Sequence, residues 1–250
     1  MRALVGDAER PFALASVSKL LTAYAALVAT EEQTLALDEA AGPPGATVAH
    51  LLAHASGLGP TGELLAAPGT RRIYSNAGFE TLAAHLAARS GIAFADYLAE
   101  AVLSPLAMGA TRLVGSPAYG AEAPLGDLVA FAGELLSPRL LATETLALAT
   151  SVAFPGLSGV LPGFGRQEHC DWGLGPELRD HKSPHWTGGA NAPSSFGHFG
   201  QSGTFLLVDP VAALSVVLLT DRPFGEWAVG GWPALLDAVL ADPVLAPPGR

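Results

Sequence analysis

Ser16-Val17-Ser18-Lys19 lies inside a mainly apolar stretch, Leu14 to Ala29, that holds no glycine or proline. The run is rich in Ala and Leu and apolar on most sides, so it predicts a helix buried all round. Lys19 is one of two lysines in 250 residues, and elsewhere the positive charge is arginine. Arginine keeps its proton inside a protein, whereas a desolvated lysine can give it up. On a helix, positions i and i+3 share a face, so the Ser16 hydroxyl and the Lys19 amine can touch. A serine with a potential base at that spacing is a candidate nucleophile.

Outward from this helix, the chain is of a size for one large domain or two small lobes. Half of its residues are hydrophobic and 14% are charged, which permits a sizeable core. The formal net charge of -10 argues against nucleic acid and against an anionic membrane surface, both of which call for a basic patch. The single cysteine, Cys170, cannot form an internal disulfide and reads as a plain buried thiol. Asp7, Glu9 and Arg10 break up any leader-like run at the N-terminus. The longest uncharged stretch, Thr145 to Gly165, is interrupted by Pro155, Pro162 and four glycines, so it reads as loop rather than membrane helix. The expectation is a cytoplasmic chain.

Turn signals divide the rest. Thr47 is placed to cap a short helix, Val48 to His54, that stops at Ser56-Gly57. Arg71 to Asn76 reads as extended or looped, and Gly78 to Ser90 as a helix ended by Gly91. Further helices are expected at Phe94–Val102, Pro124–Leu136 and Thr143–Thr150. From Pro155 onward short apolar runs appear. Gly203 to Val208, a turn at Asp209-Pro210 and Ala213 to Leu219 predict an antiparallel hairpin, and Trp232 to Leu240 a closing helix. The fold class expected is α/β: an antiparallel sheet flanked by helices plus an all-helical lobe. The sheet lobe would come from residues 1–29 and 151–250, the helical lobe from 30–150. The sheet should draw on the chain start, with a strand at Met1–Gly6, and the active site should lie between the lobes.

Two more segments bear on Ser16. Tyr74-Ser75-Asn76 offers a phenol and an amide that project the same way if the segment is extended. Lys19 and Tyr74 would then share the base role, each depressing the other's proton affinity. His198-Phe199-Gly200 runs into Gln201-Ser202-Gly203-Thr204 and an apolar strand. The N–H groups of Ser16 and Gln201 are candidate donors to a developing oxyanion. Plainer readings exist for each: an ordinary helix, a turn tyrosine, a strand histidine. His50 and His54 read as structural, fixing the turn at Ser56-Gly57. His181 and His185 have i,i+4 spacing, but Pro184 between them and the lack of an accompanying glutamate argue against zinc.

Order, separation and local context together make the chain resemble the serine β-lactamase, penicillin-binding protein and family VIII esterase superfamily, in its class C-like branch. Ser16-Val17-Ser18-Lys19 matches the first motif and Tyr74-Ser75-Asn76 the tyrosine motif. His198-Phe199-Gly200 stands in the third. His50 to Leu58, Pro68-Gly69 and Trp172-Gly173-Leu174-Gly175 also fit, so the resemblance spans roughly residues 10 to 240. It implies Ser16 as nucleophile, Lys19 and Tyr74 as proton relay, Asn76 positioning substrate or lysine, and His198 flanking the tyrosine. Gly200, Gln201 and Trp172 would complete the substrate site. No cofactor or metal is implied. The third motif departs from the lysine-threonine-glycine of drug-cleaving relatives, which shifts the expectation from β-lactams toward small-molecule esters or amides. A weak β-lactamase or D-alanyl-D-alanine peptidase, an acyltransferase and an idle binding module stay open. Substrate choice is expected to rest on the loops Pro60–Ala67 and Gly163–Ala192.

Overall fold

The computed structural model of the chain describes residues 6–242. Of the strand expected at Met1–Gly6, all but Gly6 therefore lies outside the described residues.

Helix α1, Ser18–Glu31, is buried along its whole length to Ala29, as its all-round apolar composition requires. It begins later than Leu14. A 3-10 turn at Ala15–Val17 precedes it, entered through Ala15 at φ 44°. Ser16 thus sits in a tight turn just ahead of the helix rather than within it.

Helix α2, Val48–Leu52, is capped by Thr47, whose hydroxyl accepts from the His50 N–H while the His50 ring reaches back to the Thr47 N–H. It stops two residues short of the expected His54, which adopts φ 54° and turns the chain. Helix α3, Asn76–Ser90, starts earlier than Gly78 because Ser75 caps it, accepting from the Gly78 N–H at 2.9 Å. Gly91 ends it in the left-handed region. Helix α4, Phe94–Leu98, runs into a π-helical turn at Ala99–Leu103. Helices α5, Leu125–Leu136, and α6, Thr143–Ala149, follow.

Among the described residues the strands form three separate sheets. β1, Pro11–Ala13, pairs with β3, Ala121–Pro124, which pairs with β2, Arg112–Leu113. β4, Gly159–Leu161, and β5, Gly165–Gln167, make a hairpin. The largest sheet is antiparallel in the order β6-β7-β8-β9, with β6 at Glu177–Leu178, β7 at Phe196–Phe199, β8 at Phe205–Asp209 and β9 at Leu214–Leu218. The predicted β8–β9 hairpin is present, with Asp209 opposite Leu214. The Asp209 carboxylate accepts from the Val211 and Ala212 N–H groups and so shapes the turn. Among the described residues, the start of the chain does not join this sheet. Its strand β1 pairs with β3 instead, Phe12 facing Ala123, because the Leu14 N–H and the Ser18 hydroxyl both bond to Ala121 and hold this segment there.

Helix α7, Glu226–Ala241, carries Pro233 inside it and starts earlier than the predicted Trp232. Trp232 buries against Phe205, Phe199 and Phe224, which ties α7 to β7 and β8. Helix α5 packs on β8 and β9. A second core gathers around α1, where Tyr24 meets Phe131 of α5 edge-on. Among the described residues no helix is long and apolar enough to cross a membrane.

Candidate active site

The 3-10 turn carrying Ser16 is clamped from two sides. The Thr204 hydroxyl donates to the Leu14 carbonyl at 3.1 Å, and the Leu14 N–H donates to Ala121 at 2.9 Å. Gly200, at the end of β7, lies so close that a Cβ there would stand 2.5 Å from the Leu14 carbonyl oxygen and 3.0 Å from Ala15 Cβ. Gly200 therefore serves by close approach; it brings β7 up to the serine turn and contributes no wall to the cavity.

Ser16, Tyr74, Asn76, Trp172, His198 and Gln201 line one cavity of about 110 Å³. The structure thus brings together the expected residues of all three segments. Tyr74 and Asn76 reach it by a route the sequence did not suggest. They do not lie on one extended segment; Tyr74 precedes the Ser75 cap and Asn76 is the first residue of α3.

Lys19 is fully buried. Its Nζ lies 3.4 Å from Ser16 Oγ, 2.7 Å from Asn76 Oδ1 and 2.9 Å from the Ala118 carbonyl oxygen, and 4.7 Å above the Tyr74 ring. Among the described residues, no carboxylate touches it. Burial lowers its pKa to about 7, opposed by the more distant Glu80 charge. A neutral amine has two N–H donors and one lone pair. Asn76 Oδ1 and the Ala118 carbonyl take the two donors, which leaves the lone pair for the Ser16 hydroxyl.

Tyr74 behaves otherwise than expected. Burial pushes its phenol up rather than down, and the hydrogen bond with Ser16 only partly offsets this. Desolvation outweighs that hydrogen bond and the Glu177 charge acts with it, so the phenol keeps its proton. His198 is also held neutral, its pKa depressed to about 3 by burial and by the Lys19 charge. Its Nδ1–H donates to the Phe199 carbonyl at 2.7 Å, leaving Nε2 as an acceptor. The ring stands 5.8 Å from that of Tyr74 and 5.4 Å from that of Trp172. The N–H groups of Ser16 and Gln201 take no part in the hydrogen bonds of the described residues.

Several site residues escaped the sequence reading. Glu177, on β6, lines the cavity. Its carboxylate meets the second lysine, Lys182, at 3.2 Å, His185 Nε2 at 2.8 Å and the indole N–H of Trp186. Burial pushes the Glu177 carboxyl up, but these partners together outweigh it and hold the pKa at about 2. Lys182 also donates to the Asp171 and Leu178 carbonyls. The only signal in the sequence was the scarcity of lysine, which marked Lys182 as well as Lys19. Leu161 and Pro162 of the β4–β5 hairpin complete the wall. His185, read against zinc, is engaged with Glu177. The loop Pro60–Ala67 reaches the site indirectly, its Pro60 carbonyl accepting from the Ala77 N–H at 3.3 Å.

The family model described as Beta-lactamase matches residues 7–240. A beta-lactamase from Mycobacterium bovis, known from its crystal structure, is 56% identical, with a TM-score of 0.94 over 96% of this chain and 89% of that one. Unliganded simvastatin synthase (LovD) from Aspergillus terreus superposes with a TM-score of 0.73 at 18% identity, covering 96% of this chain and 87% of that one. EstCE1, a hydrolase with promiscuous acyltransferase activity, has a TM-score of 0.71 at 20% identity, covering 93% of this chain and 85% of that one. These last two show the shared fold alone. No curated protein sequence matches the chain. The family match along nearly the whole chain, together with the identity to the mycobacterial structure, establishes that this protein belongs to the Beta-lactamase family.

Proposed function

We propose that the protein is a serine hydrolase that cleaves small, uncharged esters or amides through an acyl-enzyme. The observation that carries this is the buried Lys19 amine, 3.4 Å from Ser16 Oγ and paired with no carboxylate among the described residues. In the neutral state its lone pair accepts the Ser16 proton as Oγ attacks the substrate carbonyl carbon. The carbonyl oxygen becomes the oxyanion and is met by the Ser16 and Gln201 N–H groups. Tyr74, still protonated, donates to the leaving group and is reprotonated from the lysine. Water then attacks the acyl carbon with Lys19 again as base, and Ser16 leaves with a proton. Asn76 holds the lysine rather than the substrate, through the 2.7 Å bond to its Nζ.

Support for an uncharged substrate comes from the cavity wall. Leu161, Pro162, Trp172 and Phe199 are apolar, and the carboxylate in the wall is that of Glu177. The cavity lining includes no arginine or lysine to meet a substrate carboxylate. By the resemblance in the third motif, Phe199 takes the place of the threonine of drug-cleaving relatives, and its ring packs 5.0 Å from Phe224. Acyl transfer to an alcohol or amine uses the same residues and is the second reading; likeness in fold to a hydrolase with promiscuous acyltransferase activity favours keeping it.

The test is intact-mass spectrometry after incubation with a fluorophosphonate, a short-chain p-nitrophenyl ester and benzylpenicillin, beside Ser16→Ala. The expected result is an adduct on the wild type alone, turnover of the ester and little reaction with the penicillin. Supplying an amine and finding an amide product would select transfer. Absence of adduct and turnover from a folded sample would defeat the hydrolase reading.

A further inference from the structure

His54 is a fully buried histidine one side chain beneath the cavity, and its ring touches three aromatic residues. Ring centroids lie 4.6 Å from Tyr74, 5.0 Å from Phe79 and 4.7 Å from Trp172. Its Nδ1 accepts the Ser75 backbone N–H at 3.1 Å. That bond assigns the proton to Nε2, which has no hydrogen-bond partner. The His54 carbonyl also accepts the Ile73 N–H at 2.9 Å, and the residue holds φ at 54°. One residue therefore grips the chain on both sides of Tyr74, and its ring supports the tyrosine ring between those grips.

We infer that His54 is a positioning residue, which sets Tyr74 and Asn76 together against the Ser16–Lys19 pair. The inference rests on reading that pair as the reacting groups. A residue here must meet three demands at once. It must supply an acceptor to Ser75, a flat face to Tyr74, and tolerance of positive φ, where histidine is among the enriched residue types. Phenylalanine would keep a flat ring, somewhat larger than imidazole, but leave the Ser75 N–H buried without a partner. Asparagine keeps the acceptor and tolerates the backbone but removes the face. The ring must also stay uncharged. Burial holds its pKa well below the usual value, and any positive charge on the neighbouring Lys19, His198 or Arg72 acts in the same direction. The side chain that Ser75 and Asn76 ultimately align is Lys19, whose neighbours are Ser16, Asn76, Tyr74 and the Ala118 carbonyl.

Three measurements test this. In the wild type with isotope-labelled histidine, NMR should show His54 neutral with its proton on Nε2; the opposite tautomer would overturn the inference. Acylation of Ser16 by a fluorophosphonate should slow roughly 10–100-fold in His54→Phe and less in His54→Asn, which keeps the acceptor. A folded His54→Phe variant reacting at the wild-type rate would refute it. Labelled lysine yields signals from Lys19 and Lys182 only. The Lys19 titration midpoint should rise in His54→Phe as water enters beside the amine and relieves its desolvation. A slower reaction with an unmoved midpoint would mean general damage and count against positioning. If the wild type itself is never acylated, the reading of the Ser16–Lys19 pair fails, while the tautomer and the lysine titration still decide on His54. If both variants fail to fold, the wild-type tautomer decides.

Discussion

A lysine buried without a counter-charge is unfavourable unless it gives up its proton, and Lys19 does so with a pKa of about 7. The base is then available above that pH and lost below it. The ester-cleavage rate at low substrate should therefore rise with pH through about 7 and level off. A profile flat from about pH 5 to about pH 9 would place the base elsewhere. Lys19→Met removes the lone pair and should lower kcat roughly 10²–10⁴-fold. Most of this was legible in the residues themselves. The scarcity of lysine and the i,i+3 spacing singled out Ser16 and Lys19. The protonation of Tyr74 was not legible, since desolvation depends on what packs around the phenol.

At the scale of elements, the site depends on how closely β7 approaches the serine turn. Gly200 permits that approach, and a Cβ there would press on the Leu14 carbonyl at 2.5 Å. Gly200→Ala should leave the fold intact, at a cost of about 1–3 kcal/mol. It should lower kcat by roughly 10²-fold by moving Ser16 away from Lys19. Denaturant melts beside ester kinetics would check this; unchanged kinetics would mean the turn relaxes freely. Helix positions were readable from caps and stops, as Thr47 and Gly91 illustrate. Helix starts were less so. The 3-10 turn before α1 and the early start of α3 at Asn76 arise from contacts with β3 and from the Ser75 cap, and neither changes the apolar pattern.

For the molecule as a whole, the buried Glu177–Lys182–His185 cluster joins β6 to the loop that follows it. Removing one partner of such a pair strands the other, so Glu177→Ala should lose about 3–5 kcal/mol in a urea melt. Replacing both, as Glu177→Leu with Lys182→Met, should recover part of it. The Glu177 pKa falls from 4.5 unfolded to about 2 folded. Its stabilising contribution is thus full above about pH 4.5 and lost as the pH drops toward 2. A thermal midpoint that does not fall over that interval would contradict the assignment. The sequence by itself singled out Ser16 and Lys19 as candidate nucleophile and base, the tyrosine and third-motif segments, the helical middle and the β8–β9 hairpin. Each rests on local spacing, periodicity or turn chemistry, which neighbours along the chain encode. Only the tertiary structure decided that β1 pairs with β3 outside the main sheet. It also decided that Asn76 holds the lysine, that His54 lies beneath Tyr74, and that Glu177 stands in the cavity wall. Those outcomes come from contacts between residues far apart in the chain, where burial and pairing, not sequence proximity, set the energies.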